Sequence, residues 1–162
     1  MTKSTDYPHL LRNNQIRDQQ TTFNHPWNPK SEVTGTHLSH IAGLTRTGVS
    51  LVRIPPGKES FTYHLHHREE EWIYILSGGA MVRIDDHDYA LEAGDFVAFP
   101  TPSVAHNLAN PHAEELVYLM GGESLDYEIA DFPGHGKRIV RLGDEITVYR
   151  LEDGKPFFEP DA

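Results

Sequence analysis

The sequence predicts an all-β protein, an antiparallel sandwich or barrel. Three observations point there. Between Thr36 and Gly121, short β-rich runs recur about every ten residues, each bounded by Pro, Gly, Asn or Asp. No amphipathic helical pattern of 12 residues or more interrupts them. Of the 162 residues 38% are apolar, roughly 60 side chains, which suffices for one core and not for two.

Residues 1–35 are polar and weakly periodic, with Asn13, Asn14, Gln15, Gln19 and Gln20 followed by Pro26 and Pro29. Leu10, Leu11 and Ile16 support one or two helical turns, too little for an independent helix. The segment is expected to be an arm wrapped over the domain or over a partner subunit, with a disordered tail as the alternative. The core is expected over 36–122. Its strands are predicted at Gly48–Ile54, stopped by Pro55-Pro56-Gly57, then at Ser60–His66, Glu71–Leu76 and Ala80–Ile84. Asp85-Asp86 signals a hairpin with Asp88–Leu91 as its return strand. Phe96–Phe99 ends at Pro100, and Val104–Leu108 and Glu115–Met120 complete the series. Over 123–162 a turn-rich link, Asp131-Phe132-Pro133-Gly134, leads to strands at Arg138–Leu142 and Glu145–Leu151 that add to a sheet edge. Phe157 and Phe158 are candidate anchors for the last residues.

Composition narrows the function. The chain carries 24 acidic and 14 basic residues, a net charge of −10, which argues against nucleic acid or an anionic membrane as partner. There is no cysteine, so disulfides, thiolate zinc sites and cysteine nucleophiles are excluded. With neither a membrane-length apolar run nor a signal-like N-terminus, the expectation is a soluble, cytoplasmic protein.

Histidine is the exception to this plain composition, at 11 residues, three of them at 64, 66 and 67. His9, His25, His37, His40, His87 and His135 read as ordinary polar positions. His64 and His66 fall on one face of a strand because side chains alternate. Glu71 opens the next strand after a charged turn, His67-Arg68-Glu69-Glu70, which reads as solvated. Antiparallel neighbours lie roughly 5 Å apart, so the Glu71 carboxylate can meet both imidazoles at metal-ligand distances. His106, beyond a proline-stiffened turn, is a fourth candidate. Arg53, Tyr63, Tyr74, Arg83 and Tyr118 are strand residues able to line a pocket, and Trp72 should face away from Glu71.

These segments resemble the paired motifs of the cupin superfamily. Gly57, His64-x-His66, Glu71 and Gly78 match the first motif; Gly94, Pro100, His106 and Asn110 match the second. The fifteen residues between Gly78 and Gly94 equal the spacing of compact single-domain cupins. The runs LVRIPPG, EEEWIYILSG and GDFVAFPTPSVAH look like a poorly characterised branch of that group. The resemblance implies a double-stranded β-helix, a jelly-roll-like barrel, with metal ligands at His64, His66, Glu71 and His106. There are two departures. Six residues separate Gly57 from His64 where five are usual. Pro102 replaces a glycine, with one extra residue before His106, which would turn the following side chains outward unless a bulge absorbs it.

Three imidazoles and a carboxylate suit Fe²⁺, Mn²⁺, Ni²⁺, Co²⁺ or Zn²⁺ and leave two octahedral positions for a small-molecule substrate. The expectation is a metal-dependent enzyme acting on an oxygenated small molecule, with dioxygenase, decarboxylase and isomerase chemistry all open. A non-catalytic sugar- or acid-binding or sensor module is the alternative, and a barrel whose histidines only fill space is a third reading. A homodimer, through sheet edges or the arm, is the expected assembly.

Overall fold

The computed structural model describes residues 7–158. The N-terminal stretch contributes α1 (Asn13–Asp18), β1 (Thr21–Phe23) and β2 (Val33–His37), followed by a single turn, α2 (Leu38–Ile41). Then come β3 (Thr47–Ile54), β4 (Leu65–His66), β5 (Glu71–Ser77), β6 (Gly79–Ile84), β7 (His87–Glu92) and β8 (Phe96–Phe99). The remainder is β9 (His106–Ala109), β10 (Leu116–Glu123), β11 (Tyr127–Phe132), β12 (Lys137–Leu142) and β13 (Glu145–Arg150). These form three antiparallel sheets, in orders β1-β2-β3-β10-β5-β8, β13-β12-β11-β4 and β7-β6-β9. The result is a jelly roll assembled from separate sheets rather than one continuous ring.

Local chemistry explains the turns. Asp85 and Asp86 both adopt positive φ, 45° and 66°, the backbone of a tight hairpin whose twist matches β6 and β7. Gly78 links β5 to β6 at φ 79°, and a Cβ there would lie 2.6 Å from the Glu115 carbonyl. Only glycine fits.

Strand alternation builds the core. Val52 and Ile54 of β3, Ile73 and Ile75 of β5, Ala80 and Val82 of β6, Leu108 of β9, and Leu116 and Tyr118 of β10 are buried and packed together with Val33 and Phe99. The outward residues between them are exposed or half-buried, as period-two alternation requires.

Three expected features differ. The run Ser60–His66 is strand only at Leu65–His66; His64 joins its neighbour by an isolated bridge to His106. The link at Asp131-Phe132-Pro133-Gly134 instead begins inside a full strand, β11, which pairs with both β12 and β4. The predicted strands at 138–142 and 145–151 appear as β12 and β13. The tail does not anchor: Phe157 and Phe158 are 90% and 91% exposed and pack only on each other among the described residues.

Candidate metal centre

The inward rows of the barrel change character along their length. On β5 the row runs Ile75, Ile73, Glu71, so the carboxylate enters the interior by the same alternation that buries the isoleucines. On β9 it runs Leu108, His106, and on β3 it runs Ile54, Val52, Ser50. The backbone of His64 exchanges hydrogen bonds with that of His106 (3.1 and 2.8 Å), which fixes those two residues opposite each other. Ahead of β9 the extra residue is accommodated in the 100–105 loop. There Ser103 donates its amide to the His66 carbonyl at 2.8 Å, while its hydroxyl accepts from the His66 amide at 2.7 Å. His106 therefore faces inward and is 2% exposed, and its ring stacks on Phe99 at 3.6 Å.

One ligand atom from each of His64, His66, Glu71 and His106 lies within 4.8 Å of the others, a group that could hold a metal ion. Their proton positions can be read. His64 Nδ1 is 2.8 Å from the Thr62 carbonyl and His106 Nδ1 is 3.0 Å from the Val104 carbonyl. A carbonyl only accepts, so both rings carry their proton on Nδ1 and turn a bare Nε2 inward. His64 Nε2 sits 3.1 Å from His66 Nε2, and Glu71 Oε2 is 3.2 Å from both His66 Nε2 and His106 Nε2. One proton on His66 Nε2 cannot satisfy all these facing lone pairs. His66 Nδ1 is buried without a hydrogen-bond partner, 3.5 Å from Glu128 Oε1. A divalent cation fits this arrangement: it would take the three Nε2 lone pairs and Glu71 Oε2, leaving the His66 proton on Nδ1 facing the Glu128 carboxylate.

The electrostatics are those of a dry site crowded with charge. Burial pushes the His64 imidazole down to about 4, against the opposing pull of Glu71. Burial also opposes charge on His66, but contact with Glu71 and the carboxylates of Glu128 and Glu69 outweigh it and raise its pKa. For Glu71, burial favours the neutral acid. A hydrogen bond from a proton on a facing His106 or His66 Nε2, with positive charge on the His64 and His106 rings, acts the other way and lowers its pKa. Burial, with Glu71 adding, pushes the Tyr118 phenol upward.

A cavity of about 390 Å³ opens beside the cluster. Its walls include His25, His37, Ser50, Phe61, Met120 and Phe132. None of the five strand residues expected to line a pocket does so here. Arg53 pairs with Glu115 near the surface, Tyr74 is exposed, and Tyr118 belongs to the core. Tyr63 and Arg83 stack against each other beside a different hollow. Trp72 faces away from Glu71 as expected, its indole filling the space over Gly121.

Other expectations need correction. The turn after His66 is not simply solvated. Glu69 pairs with Arg141 and accepts from the Leu125 amide, and His67 contacts Asp131 at 2.8 Å. Glu128, 5% exposed on β11, accepts the amides of His67 and Glu69 at 3.0 and 2.8 Å and a longer one from Arg68. His25 and His37 both line the cavity, His25 half-buried and His37 at its exposed margin. His25 packs against Phe61, Trp27 and Phe132, and His37 Nδ1 contacts Ser50 Oγ at 3.0 Å. Sequence offered no signal for His37 or for Glu128.

Comparison with known proteins agrees with the fold. The Cupin domain family model matches residues 50–122. A candidate sugar phosphate isomerase from Acidithiobacillus ferrooxidans is 35% identical, with a TM-score of 0.87, over 94% of this chain and 98% of that one. A cupin sugar phosphate isomerase from Silicibacter pomeroyi shares the fold at 22% identity and a TM-score of 0.75, over 87% and 94% of the two chains. The alginate biosynthesis protein AlgA of Pseudomonas aeruginosa is 32% identical over 111 residues, 65% of this chain. This chain spans only 21% of that curated relative's length. Among the described residues no helix is long and apolar enough to cross a membrane. With both inward-facing motifs in register and a full-length relative of that fold, the chain belongs to the cupin superfamily, as a single-domain member.

Proposed function

We propose that the protein is a metal-dependent isomerase that moves a proton between adjacent carbons of a hydroxycarbonyl compound. The observation that carries this is the convergence of three imidazole Nε2 atoms and one carboxylate at the floor of a cavity. Likeness to a candidate sugar phosphate isomerase over nearly the whole chain supports the reaction class. His64, His66, Glu71 and His106 would hold a divalent ion such as Fe²⁺, Mn²⁺, Ni²⁺, Co²⁺ or Zn²⁺. When bound, the ion supplies a Lewis acid that polarises the substrate carbonyl and acidifies the neighbouring C–H.

The chain's own residues do the rest. His37 lines the cavity, and in the tautomer that donates Nδ1–H to Ser50 Oγ its Nε2 carries a lone pair able to take the proton from one carbon and return it to the next. Phe61, Phe132 and Met120 keep the reacting end dry. Anaerobic incubation in D₂O of the metal-loaded protein with a panel of aldoses and ketoses tests this by NMR. The expected result is deuterium beside the carbonyl, lost in His64→Ala and reduced at least 100-fold in His37→Gln. Activity that requires O₂ would overturn it.

We also assign a second copy of the chain as partner, meeting along the β13 edge where Ile146, Val148 and Tyr149 are exposed. Light scattering should give a dimer mass, and Val148→Lys should shift it to the monomer.

A further inference from the structure

The cavity beside the ligand cluster has an unusual charge pattern. Four carboxylates line it, from Glu69, Glu70, Glu71 and Glu123, and among the described residues its walls contain no Lys or Arg. Glu69 is matched by Arg141, and a bound divalent ion would be balanced by Glu71 together with Glu128 beneath His66. Glu70 and Glu123 remain as uncompensated negative charge at the cavity wall. Burial, with His135 adding, lowers the His25 pKa, so that ring is neutral near pH 7 and offers no cation either.

A second hollow of about 400 Å³ continues the first, sharing His37, Ser50, Phe61 and Met120. The remaining walls are Thr21, Thr22, Phe23, Val33, Gly35, Thr36 and Val52, none of them charged. Strand β1 forms one side of this chamber. The path from the ligand cluster thus runs past acidic groups and into a neutral space lined by methyl, hydroxyl and aromatic groups.

We infer that the substrate is uncharged outside its metal-chelating end, with a neutral body that extends under β1, and that phosphorylated sugars are rejected. This rests on the isomerase reading and narrows its substrate class. A phosphate dianion recognised by protein needs Arg, Lys or a cluster of amides aimed at it, and carboxylates in its place repel it. The hydroxyls of Ser50, Thr21 and Thr22, by contrast, suit the hydroxyls of an unphosphorylated sugar or a related polyol.

The test uses the full-length, Mn²⁺-loaded protein at pH 7.5, with D-fructose and D-fructose 6-phosphate as matched probes. Perturbation of the Mn²⁺ EPR spectrum reads binding, and a chelator control removes phosphate that merely strips the metal. The expected result is at least tenfold tighter binding of the sugar than of its phosphate. Glu70→Lys, a change on an exposed side chain, should narrow that gap at least tenfold, while Glu70→Gln narrows it less. Met120→Trp, which fills the junction between the hollows, should weaken the sugar at least tenfold with metal content unchanged.

Equal or tighter binding of the phosphate overturns the inference, and so does failure of both probes to perturb the metal. The D₂O exchange assay reports separately on the isomerase reading. Exchange with D-fructose 6-phosphate in preference to D-fructose would leave that reading standing and sink this one. Selective binding of the sugar without exchange of any panel compound would do the reverse.

Discussion

The two ends of the barrel are built from the same strands and differ in what they are for. At one end Ile54, Ile75, Val82, Leu108 and Leu116 are at most 1% exposed and fill the interior with hydrocarbon. Two to four residues along the same strands, Ser50, Glu71, His106 and Met120 occupy the equivalent inward positions. Alternation decides which side chains enter, and side-chain chemistry decides what the interior does there. The apolar end lowers the free energy of the fold, whereas the histidine end spends some of that stability on facing lone pairs and a buried carboxylate.

Opposite substitutions should break the two ends in opposite ways. Ile75→Ala should cost about 2–5 kcal/mol of unfolding free energy, because it leaves a cavity in a tightly packed row. Metal stoichiometry in the surviving folded fraction should be unchanged by elemental analysis. His64→Ala should do the reverse, lowering metal content at least tenfold with little loss of stability in the metal-free protein. Equal effects on both properties at both ends would erase the distinction.

Acid sharpens it further. An unfolded His64 takes up a proton near 6.5 and the folded one only near 4, so the metal-free protein loses stability as pH falls between those values. The loss is roughly 3 kcal/mol at most. His66, raised in the folded state, works in the opposite sense: its contribution is full below pH 6.5 and fades as pH climbs through its folded value. Urea titrations of the metal-free wild type and His64→Phe should therefore diverge below pH 6.5, with the variant falling less steeply. Since only the neutral His66 ring coordinates, metal uptake should release protons wherever that ring is protonated, and increasingly so as pH falls. Calorimetry in buffers of different ionisation enthalpy measures this.

A smaller effect is expected from Glu128→Gln. It removes the charge facing His66 Nδ1 while preserving an acceptor for the turn amides, and should weaken metal affinity about 10- to 100-fold in chelator competition. At the bottom of the scale, Phe157→Ser with Phe158→Ser should change stability by less than about 0.5 kcal/mol, because both rings are in solvent.

Much of the barrel was readable because its strands alternate cleanly and end at strong turn residues. Asp85-Asp86 and Gly94-Asp95 mark their turns without help from the rest of the molecule. The residues His64, His66, Glu71 and His106 were nameable because spacing of two places rings on one face and the next strand returns beside them. β11 escaped because the acids of YEIADF, Glu128 and Asp131, stand three apart and break period-two alternation, and the run meets Pro133, which reads as a link. Its acidic residues are held by distant partners, Glu128 by the turn amides and Asp131 by Arg138 and His67. Local pattern carries no trace of such contacts. The roles of His25 and His37 were hidden for the same reason, since the N-terminal stretch reaches the cavity through distant contacts, its pairing with β3 and the bridge of Ser31 to Glu59.

Three histidines direct Nδ1 to the carbonyl two positions earlier: His64 to Thr62, His106 to Val104 and His87 to Asp85. The third lies on an exposed hairpin, far from any ligand role. Tautomer choice is thus written into a three-residue backbone unit, while convergence of the rings is written into the topology. Such units are portable: transplanted as tripeptides onto another sheet, they would arrive with the outer nitrogen already committed, leaving a designer only the task of aiming them.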